Sequence, residues 1–547
     1  MSRHCSEYTG HVSVLLSRVL SLQNRNPISA TYGCLDRNFW HFKTLVDFPS
    51  ATYQQPVLGL SSLWEEAGAF SGSHDLSNAI RGGILYWCEI QNRDGSFNEY
   101  YQNDRSFCPT AFTTFGVAFA FKRSRELFDP PDADRILRSL NRSAAWLARQ
   151  ENPSVVNQMM ASALALRAVA DLTSDVSMSS AASNRLTEVL ASQSEEGWFP
   201  EYDGADVGYS MLALDMLALY DQSWPERRVR DASERLAAFI VGFLHPDGTA
   251  GGHYGSRSTQ HVFPFGIEYF AQQGSAPARA ARAWLRNHLK LGTGLTSLAV
   301  DDKYVAYFYF NSYVMALLTA EEIDDAPQDL PAGTMDYSQA RILRVQEGPL
   351  KGWIGYGRNG VCRFYEGEKL AHVDGGYVIR LADGRQCASQ VADPGARLDL
   401  DTSSSQSIQV EGRVGLLDDS LPLVRWIVPF KLFCRTVLKF DGLAYWFHRY
   451  IKGQRIVRTK QEPVSITRLF SLLEKEIVIE DRLESSGSEI AEAYLMGDFS
   501  TVHSPSSRYV PVTSTGPVAE STLDRPNPST WVFTHRISLD NGRKSNG

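Results

Sequence analysis

The chain contains no Cys-x-x-Cys pair. Its seven cysteines (Cys5, Cys34, Cys88, Cys108, Cys362, Cys387 and Cys434) are scattered and odd in number. This pattern indicates neither a zinc site nor a disulfide framework, and free thiols of a cytosolic protein are the simplest account. No stretch approaches the roughly 18 consecutive apolar residues of a membrane span, so no membrane insertion is expected. The N-terminal apolar run is short and broken by Ser13, Ser17 and Arg18. It lacks a basic lead and a small-residue cleavage site, so no export signal is expected and the predicted location is cytoplasmic. Nor is positive charge in excess. A formal net charge of -8 supplies no electrostatic reason to expect nucleic acid or an anionic membrane as partner. It does leave room for a polyanion, since a basic cleft can lie inside an acidic protein.

Aromatic residues, by contrast, are plentiful, and they serve both large cores and flat ligands. A repeated phrase organises many of them. A polar turn with glycine and an acidic or aromatic stretch lead into an apolar helix in NRDGSFNEYYQNDRSFCPTAFTTFGVAFAF, SEEGWFPEYDGADVGYSMLALDMLALY and HPDGTAGGHYGSRSTQHVFPFGIEYFA. The turn glycines Gly95, Gly197 and Gly248 are 102 and 51 residues apart, which fits one period of 51 with one copy skipped. NPSVVNQMMASALALRAVADL supplies the helix of the skipped copy, and a further copy starts at Asp301. A period of this size is one helical hairpin, and a hairpin must stack on neighbours to bury its apolar face. Apolar helices alternate with more polar ones such as RRVRDASERLAAFIVGFL. That alternation predicts a ring of hairpins with inner starts near 109, 155, 207, 260 and 305, and a sixth hairpin drawn from residues 57 to 90.

Beyond residue 325 the pattern changes. An acidic linker, EEIDDAPQDLPAGTMDYSQA, precedes short alternating runs closed by Gly, Asp and Asn, including TVLKFDGLAYWFHRYIKGQRIVRTKQEP. These read as strands of a large antiparallel sandwich, with fraying expected after about residue 530. The expected fold is multidomain α+β. Residues 1–75 form a helical lead-in packed on the ring, 76–325 an (α/α) toroid, and 326–547 an antiparallel β-sandwich. The sequence does not set the oligomeric state.

This architecture, with the segments 36–56, 92–105, 152–167 and 194–216, resembles the heparinase II/III-like family of polysaccharide lyases and related alginate lyases. The resemblance implies an Asn, often followed by His, at the start of one inner helix, and a catalytic Tyr one hairpin later behind a glycine turn. Here those positions are Asn157-Gln158 and then Tyr202 or Tyr209. Gln158 departs from the pattern, so the base the family often places there is missing from that position. The implied activity is β-elimination on a uronate-containing glycan. The partner is then an acidic oligosaccharide or polysaccharide, and neither a cofactor nor a catalytic metal is required.

Such a lyase removes the proton next to a carboxylate and ejects the oxygen at the β position. Donors must hold the carboxylate while enolate charge builds. Asn157, Gln158 and the cationic fork of Arg257 suit that role, although Asn at a helix start also serves as a cap or a structural bond. Tyrosine both donates and accepts, and Tyr209 is favoured over Tyr202 because a helix start is more rigid than a turn. GGHYGSRSTQH places His253, Tyr254, Arg257 and His261 within nine residues, and either histidine can take a proton that Tyr holds too tightly. Trp198, Phe199, Tyr100 and Tyr101 are candidates for stacking on sugars, and Glu201 for substrate contact. His448 or Tyr450 of the second domain are candidates to reach back over the ring. Two alternatives stay open. A glycoside hydrolase would use two carboxylates drawn from Asp94, Glu99, Glu201, Asp203 and Asp206. A non-catalytic glycan-binding protein would explain Gln158.

Overall fold

A computed structural model describes residues 6–42, 46–66, 68–150, 155–202, 204–293, 300–321, 323, 333–400, 407–417, 424–440, 442–444, 446–447, 450, 461–498 and 520–539. The helices begin with α1 (Ser6–Leu22), α2 (Val57–Glu66), α3 (His74–Glu89), α4 (Phe107–Arg123), α5 (Pro130–Ala148), α6 (Val156–Thr173) and α7 (Val176–Ala191). They continue with α8 (Val207–Ser223), α9 (Arg227–Val241), α10 (Phe265–Gln272), α11 (Ala276–Leu291), the single turn α12 (Asp302–Tyr304) and α13 (Phe310–Thr319). Among the described residues α2, α4, α6, α8, α10 and α13 pack each on the next, and α13 returns to α2. The helices α3, α5, α7, α9 and α11 back this inner ring from outside, and α1 backs α13. The toroid therefore closes through its N-terminal helix. Residues 6–22, expected as a lead-in, supply the outer partner of the last inner helix.

Hydrophobic pattern explains which helix goes where. Every residue of α4 from Pro109 to Phe121 is buried, as a helix surrounded by helices requires. On α9 burial is confined to a stripe of Val229, Ala232, Ser233, Leu236, Ala237, Phe239 and Ile240, and the rest faces water. The repeated turn keeps its geometry as well. Gly95 and Gly197 both adopt φ 97°, and a Cβ on either would lie 2.3 Å from the carbonyl oxygen of Arg142 or Arg235 on the neighbouring outer helix. Only glycine meets both demands. Gln91 donates to the carbonyls of Gly95 and Ser139, and Gln193 donates to those of Gly197 and Ala232, so one hydrogen-bond pattern recurs in both copies.

The second domain has two antiparallel sheets. One runs β1 (Met335–Tyr337), β2 (Ile342–Glu347), β3 (Leu350–Gly355), β4 (Val361–Glu366) and β5 (Lys369–Asp374) as a simple meander. The other contains β6 (Tyr377–Leu381), β7 (Gln386–Ala388), β8 (Arg397–Leu400), β9 (Ser407–Leu416), β10 (Gln461–Leu472), β11 (Glu476–Ser485), β12 (Ile490–Leu495), β13 (Glu520–Asn527) and β14 (Thr530–Ser538). Its order is 12-6-7-9-10-11-14-13, with β8 on β9. Leu343, Ile354 and Phe364 of the meander meet Val410, Phe470 and Ile479 of the larger sheet. The opposite face of the meander carries Ile342, Trp353, Val361 and Tyr365, which join the core of the toroid. Trp353 Nε1 donates to the carbonyl of Gly242 at 2.9 Å. The meander is thus buried on both faces and mortises the domains together.

Two expectations are corrected here. The chain after residue 530 does not fray at once, because β14 pairs with both β11 and β13 through Ser538. Of the run expected as strand from Thr436 to Pro463, the described residues before β10 are not strand: α14 (Val424–Thr436) ends where the run begins, a further turn follows at Val437–Lys439, and most of the remainder lies outside the described residues. The physical reason is that β10 already pairs with β9 on one side and β11 on the other, which leaves no free edge on β10 for the chain that leads into it. Its backbone donors must be satisfied internally, as helix. Half of the acidic linker, with Asp203 and His448, lies outside the described residues.

Candidate active site

The inner helices begin at one mouth of the toroid, and two carboxylates organise that mouth. Asp206 caps α8. Its Oδ1 accepts from the Tyr209 amide at 3.1 Å, and its Oδ2 accepts from the amides of Arg257 and Thr259 at 3.0 and 3.1 Å. One side chain therefore ties the start of α8 to the glycine-rich loop from the next hairpin. Gly208 permits this approach, since a Cβ there would meet Thr259 Cγ2 at 2.4 Å. Glu201 does the same for α6, where its Oε1 accepts from the Asn157 amide at 3.0 Å and from Asn157 Nδ2 at 2.7 Å. Its Oε2 is buried without a hydrogen-bond partner. Burial pushes the Glu201 carboxyl up to about 8 against the pull of the Asn157 donors.

These ties gather a chamber of about 160 Å³ lined by Asn157, Gln158, Tyr202, Tyr209, Arg257, His261, Glu99, Tyr100, Lys303, Tyr304 and Tyr307, among others. The Arg257 guanidinium lies 4.4 Å from the centroid of the Tyr202 ring. Burial raises the Tyr202 phenol to about 12, with Arg257 opposing the rise, and burial likewise raises Tyr209 against Arg257. For Arg257, burial works against the charge. The neighbouring Tyr209 and Tyr202, with Asp206 and Glu201, outweigh it and hold its pKa above the usual value. His261 is buried among Tyr304, Tyr309 and Phe263, with ring centroids 5.1 to 5.9 Å away. Burial also raises Glu99, which accepts from Ser106 Oγ at 2.8 Å.

Backbone strain occurs at this chamber. Tyr202, Ser258 and Phe308 adopt φ of 59°, 55° and 85°, a region that side-chain-bearing residues enter at a cost of about 1–3 kcal/mol each. Tyr202 is itself a lining residue, Ser258 lies between Arg257 and Thr259, and Phe308 follows Tyr307. A larger groove of about 1070 Å³ shares Glu99, Tyr100 and Lys303 with the chamber. Its far wall is the insert after β9, through Trp426, Ile427, Phe430, Phe447 and Tyr450. Tyr450 thus meets the expectation that the second domain reaches over the ring.

Of the residues singled out from sequence, Asn157, Gln158, Tyr202, Tyr209, Arg257, His261 and Tyr100 come together around the chamber. His253 does not line it. Its Nε2 pairs with Asp498 Oδ1 at 2.8 Å, and Arg363 holds the other oxygen at 3.0 Å, in the seam between domains. The Tyr254 hydroxyl bonds His245 Nε2 at 2.7 Å, also in the seam. Trp198 is buried, with its Nε1 on Glu196, and Glu201 braces Asn157 from behind. Lys303, Tyr304 and Tyr307 were overlooked, although they begin the last copy of the repeat, and the rule that picked out Tyr209 applies equally to them.

Among the described residues, one group has donors close enough for a metal. Cys362, His372 and Asp374 of the β domain offer atoms within 4.8 Å of one another, remote from the chamber lining. Asp374 is already engaged by the buried Arg468 guanidinium, which supplies the positive charge there.

No protein-family model matches the chain, and no curated protein matches it in sequence. Solved structures do resemble it. A xanthan lyase of Paenibacillus superposes with a TM-score of 0.50 at 9% identity, covering 97% of this chain, which spans 56% of the length of that lyase. A chondroitin AC lyase of Streptomyces coelicolor, solved with chondroitin sulphate, gives 0.48 at 11% identity over 97% and 81% of the two chains. A mutant heparan sulfate lyase of Pedobacter heparinus gives 0.41 at 8% identity over 97% and 81%. At such identities the likeness describes a shared fold, a helical toroid followed by an antiparallel β domain.

Proposed function

We propose that this protein is a polysaccharide lyase that cleaves a uronate-containing glycan by β-elimination. The observation that carries the reading is the composition of the chamber. Arg257 and the amides of Asn157 and Gln158 meet Tyr202, Tyr209 and His261, while Glu99 is the lone carboxylate among the described lining residues. In this reading Arg257, Asn157 and Gln158 hold the uronate carboxylate and stabilise the charge that builds on it. The His261 imidazole takes the proton from the adjacent carbon, and the electron pair moves to form the double bond. The bond to the β oxygen breaks, and the Tyr209 phenol protonates the departing oxygen. Tyr202 presents its ring face to Arg257 and keeps the guanidinium in place. Lys303 adds positive charge where the chamber meets the groove, and the aromatic residues of the groove suit the apolar faces of neighbouring sugars.

Hydrolysis would need a second carboxylate facing the first across the scissile bond. Glu201 is turned to Asn157, Asp206 is committed to three backbone donors, and Asp94 is paired with Arg105 at 2.6 Å. These engagements favour elimination. Ultraviolet absorbance of an unsaturated uronyl product, measured over a panel of uronate polymers, tests the proposal. Saturated products with a new reducing end would replace it with hydrolysis, and binding of every polymer without cleavage would replace it with a glycan-binding role.

A further inference from the structure

The short turn of helix at Ala51–Gln54 brings two consecutive glutamines to the start of α2, and the fold uses them differently. Gln54 is fully engaged. Its Nε2 donates to the carbonyls of Gly33 and Gly83 at 3.2 and 2.9 Å, and its Oε1 accepts from the Leu35 amide at 2.8 Å. Gln55 is buried as well, at 3% exposed, yet its Oε1 has no hydrogen-bond partner, and the residue lines the chamber. Its backbone is firmly held. The Gln55 amide donates to the Thr52 carbonyl at 3.3 Å, and the Gln55 carbonyl accepts from the Leu58 amide at 3.3 Å and from Asn311 Nδ2 at 3.1 Å. Asn311 lies on α13, and its Oδ1 accepts from the Gly59 amide, so the joint that closes the ring also fixes the base of this side chain. A buried carboxamide oxygen without a partner destabilises a sealed core, whereas beside a cavity a ligand can supply the missing donor.

Ring order decides what stands across the chamber from Gln55. Along the inner helices, α2 lies three places from α8 in either direction. Gln55 at the start of α2 is therefore opposite Tyr209 of α8, which Asn157 of α6 and Arg257 of the loop before α10 flank. In the elimination proposed above, on which this inference rests, Asn157 and Arg257 hold the uronate carboxylate. Carbon 5 of a pyranose ring, which bears that carboxylate, lies directly across the ring from carbon 2. A uronate held over α8 thus turns its carbon-2 substituent toward α2. Glu99, in the approach to the neighbouring α4, gives that wall a carboxyl group too, and the charge of Lys303 acts on Glu99 and on Asp36.

We propose that the Gln55 carboxamide is a specificity-determining contact that receives the carbon-2 substituent of the uronate as a free hydroxyl, so that the substrates are uronate glycans unsubstituted at that oxygen. A hydroxyl donates to Oε1 and completes its hydrogen bonding. A sulfate or acyl ester at the same oxygen has no hydrogen to donate, leaves Oε1 unpartnered and sets its added oxygens beside Glu99. It also adds bulk to a chamber of about 160 Å³.

NMR titration of the full chain with methyl glycosides of glucuronate and galacturonate, each beside its 2-deoxy and 2-O-sulfated forms, tests this without requiring turnover. The 2-deoxy forms are expected to bind about three- to tenfold more weakly than the parents, and the 2-O-sulfated forms at least about tenfold more weakly. Gln55→Met keeps the side-chain length without the carboxamide, and it is expected to bind parent and 2-deoxy forms equally, with a melting midpoint no lower than that of the unaltered protein. Equal binding of parent and 2-deoxy forms by the unaltered protein would overturn the inference and leave the elimination reading standing, with water as the partner of Oε1. Discrimination retained by Gln55→Met would overturn it as well, and 2-O-sulfated forms that bound as tightly as the parents would overturn the substrate class. Absence of binding by every glycoside would overturn the uronate reading together with this one. Should Gln55→Met fail to fold, the comparison of parent and 2-deoxy forms on the unaltered protein decides.

Discussion

Arg468 in the β domain and Arg257 at the toroid mouth are both enclosed cations, and their surroundings differ in completeness. Arg468 is fully buried. Its Nε meets Asp481 at 2.7 Å, its Nη1 meets the Gly360 carbonyl at 3.0 Å, and its Nη2 bonds both Asp374 and Asp481. Tyr377 and His535 close the far side of Asp481. Burial alone would raise that carboxyl, but Arg468 and His535 hold it down at about 2. Arg257 instead stands over a tyrosine ring whose backbone is strained, near a Glu201 oxygen that has no partner. Arg468 has an oxygen partner at each of its nitrogens and serves the fold. In the second cluster, Glu201 Oε2 is left without a hydrogen-bond partner and Arg257 lines a cavity, an arrangement common where charge is received.

Four substitutions press on this contrast. Tyr209→Phe is expected to lower turnover about 10²- to 10⁴-fold, the usual range for a proton-transferring group, with an unchanged denaturation midpoint. Steady-state kinetics beside a urea melt would read both quantities. Arg468→Met should behave in the opposite way, costing about 3–5 kcal/mol of stability by stranding Asp374 and Asp481, with kcat per folded molecule preserved. If Arg468→Met lost activity without stability, the two clusters would have to exchange roles.

Glu201→Gln has a smaller, pH-dependent effect. The folded carboxyl titrates near 8, above its unfolded value, so the folded state keeps a proton that the unfolded state releases. The stability linked to that proton is present below the unfolded pKa and is lost as pH rises through about 8. Melting temperatures of Glu201→Gln should therefore fall less between acid and mildly alkaline pH than those of the unaltered protein. Matching slopes would show that Glu201 titrates normally. The smallest effect on catalysis is expected from His253→Ala, which sits in the domain seam and should keep turnover within about tenfold. A loss as large as that of Tyr209→Phe would return His253 to the chemistry.

Much of the site was legible because it repeats. The rule that inner helices begin in polar residues led to Asn157, Tyr209 and His261, and the glycine-rich loop pointed to Arg257. The same loop misdirected attention to His253 and Tyr254, since adjacency in sequence does not say which side of a loop faces the cavity. Gly251 and Gly252, with φ of 68° and 124°, turn the chain between them, and His253 faces Asp498 of the other domain. The insert after β9 was misread for a related reason. Its apolar density fits strand or helix alike, and only the occupied edges of β10 decide.

The hydrophobic period and the positions of glycine, proline and charge are local properties. They determined the hairpin repeat, the change to strands beyond residue 325 and the polar starts of the inner helices. Ring closure is not local. It brings Glu99 together with Lys303, and Asn157 with Arg257, across separations that no short-range pattern encodes. It recruits α1 as the outer partner of α13 and sets the insert across the toroid mouth. Which candidates share one chamber was decided by helix packing around the ring, because contact depends on the order in which inner helices meet and not on their distance along the chain.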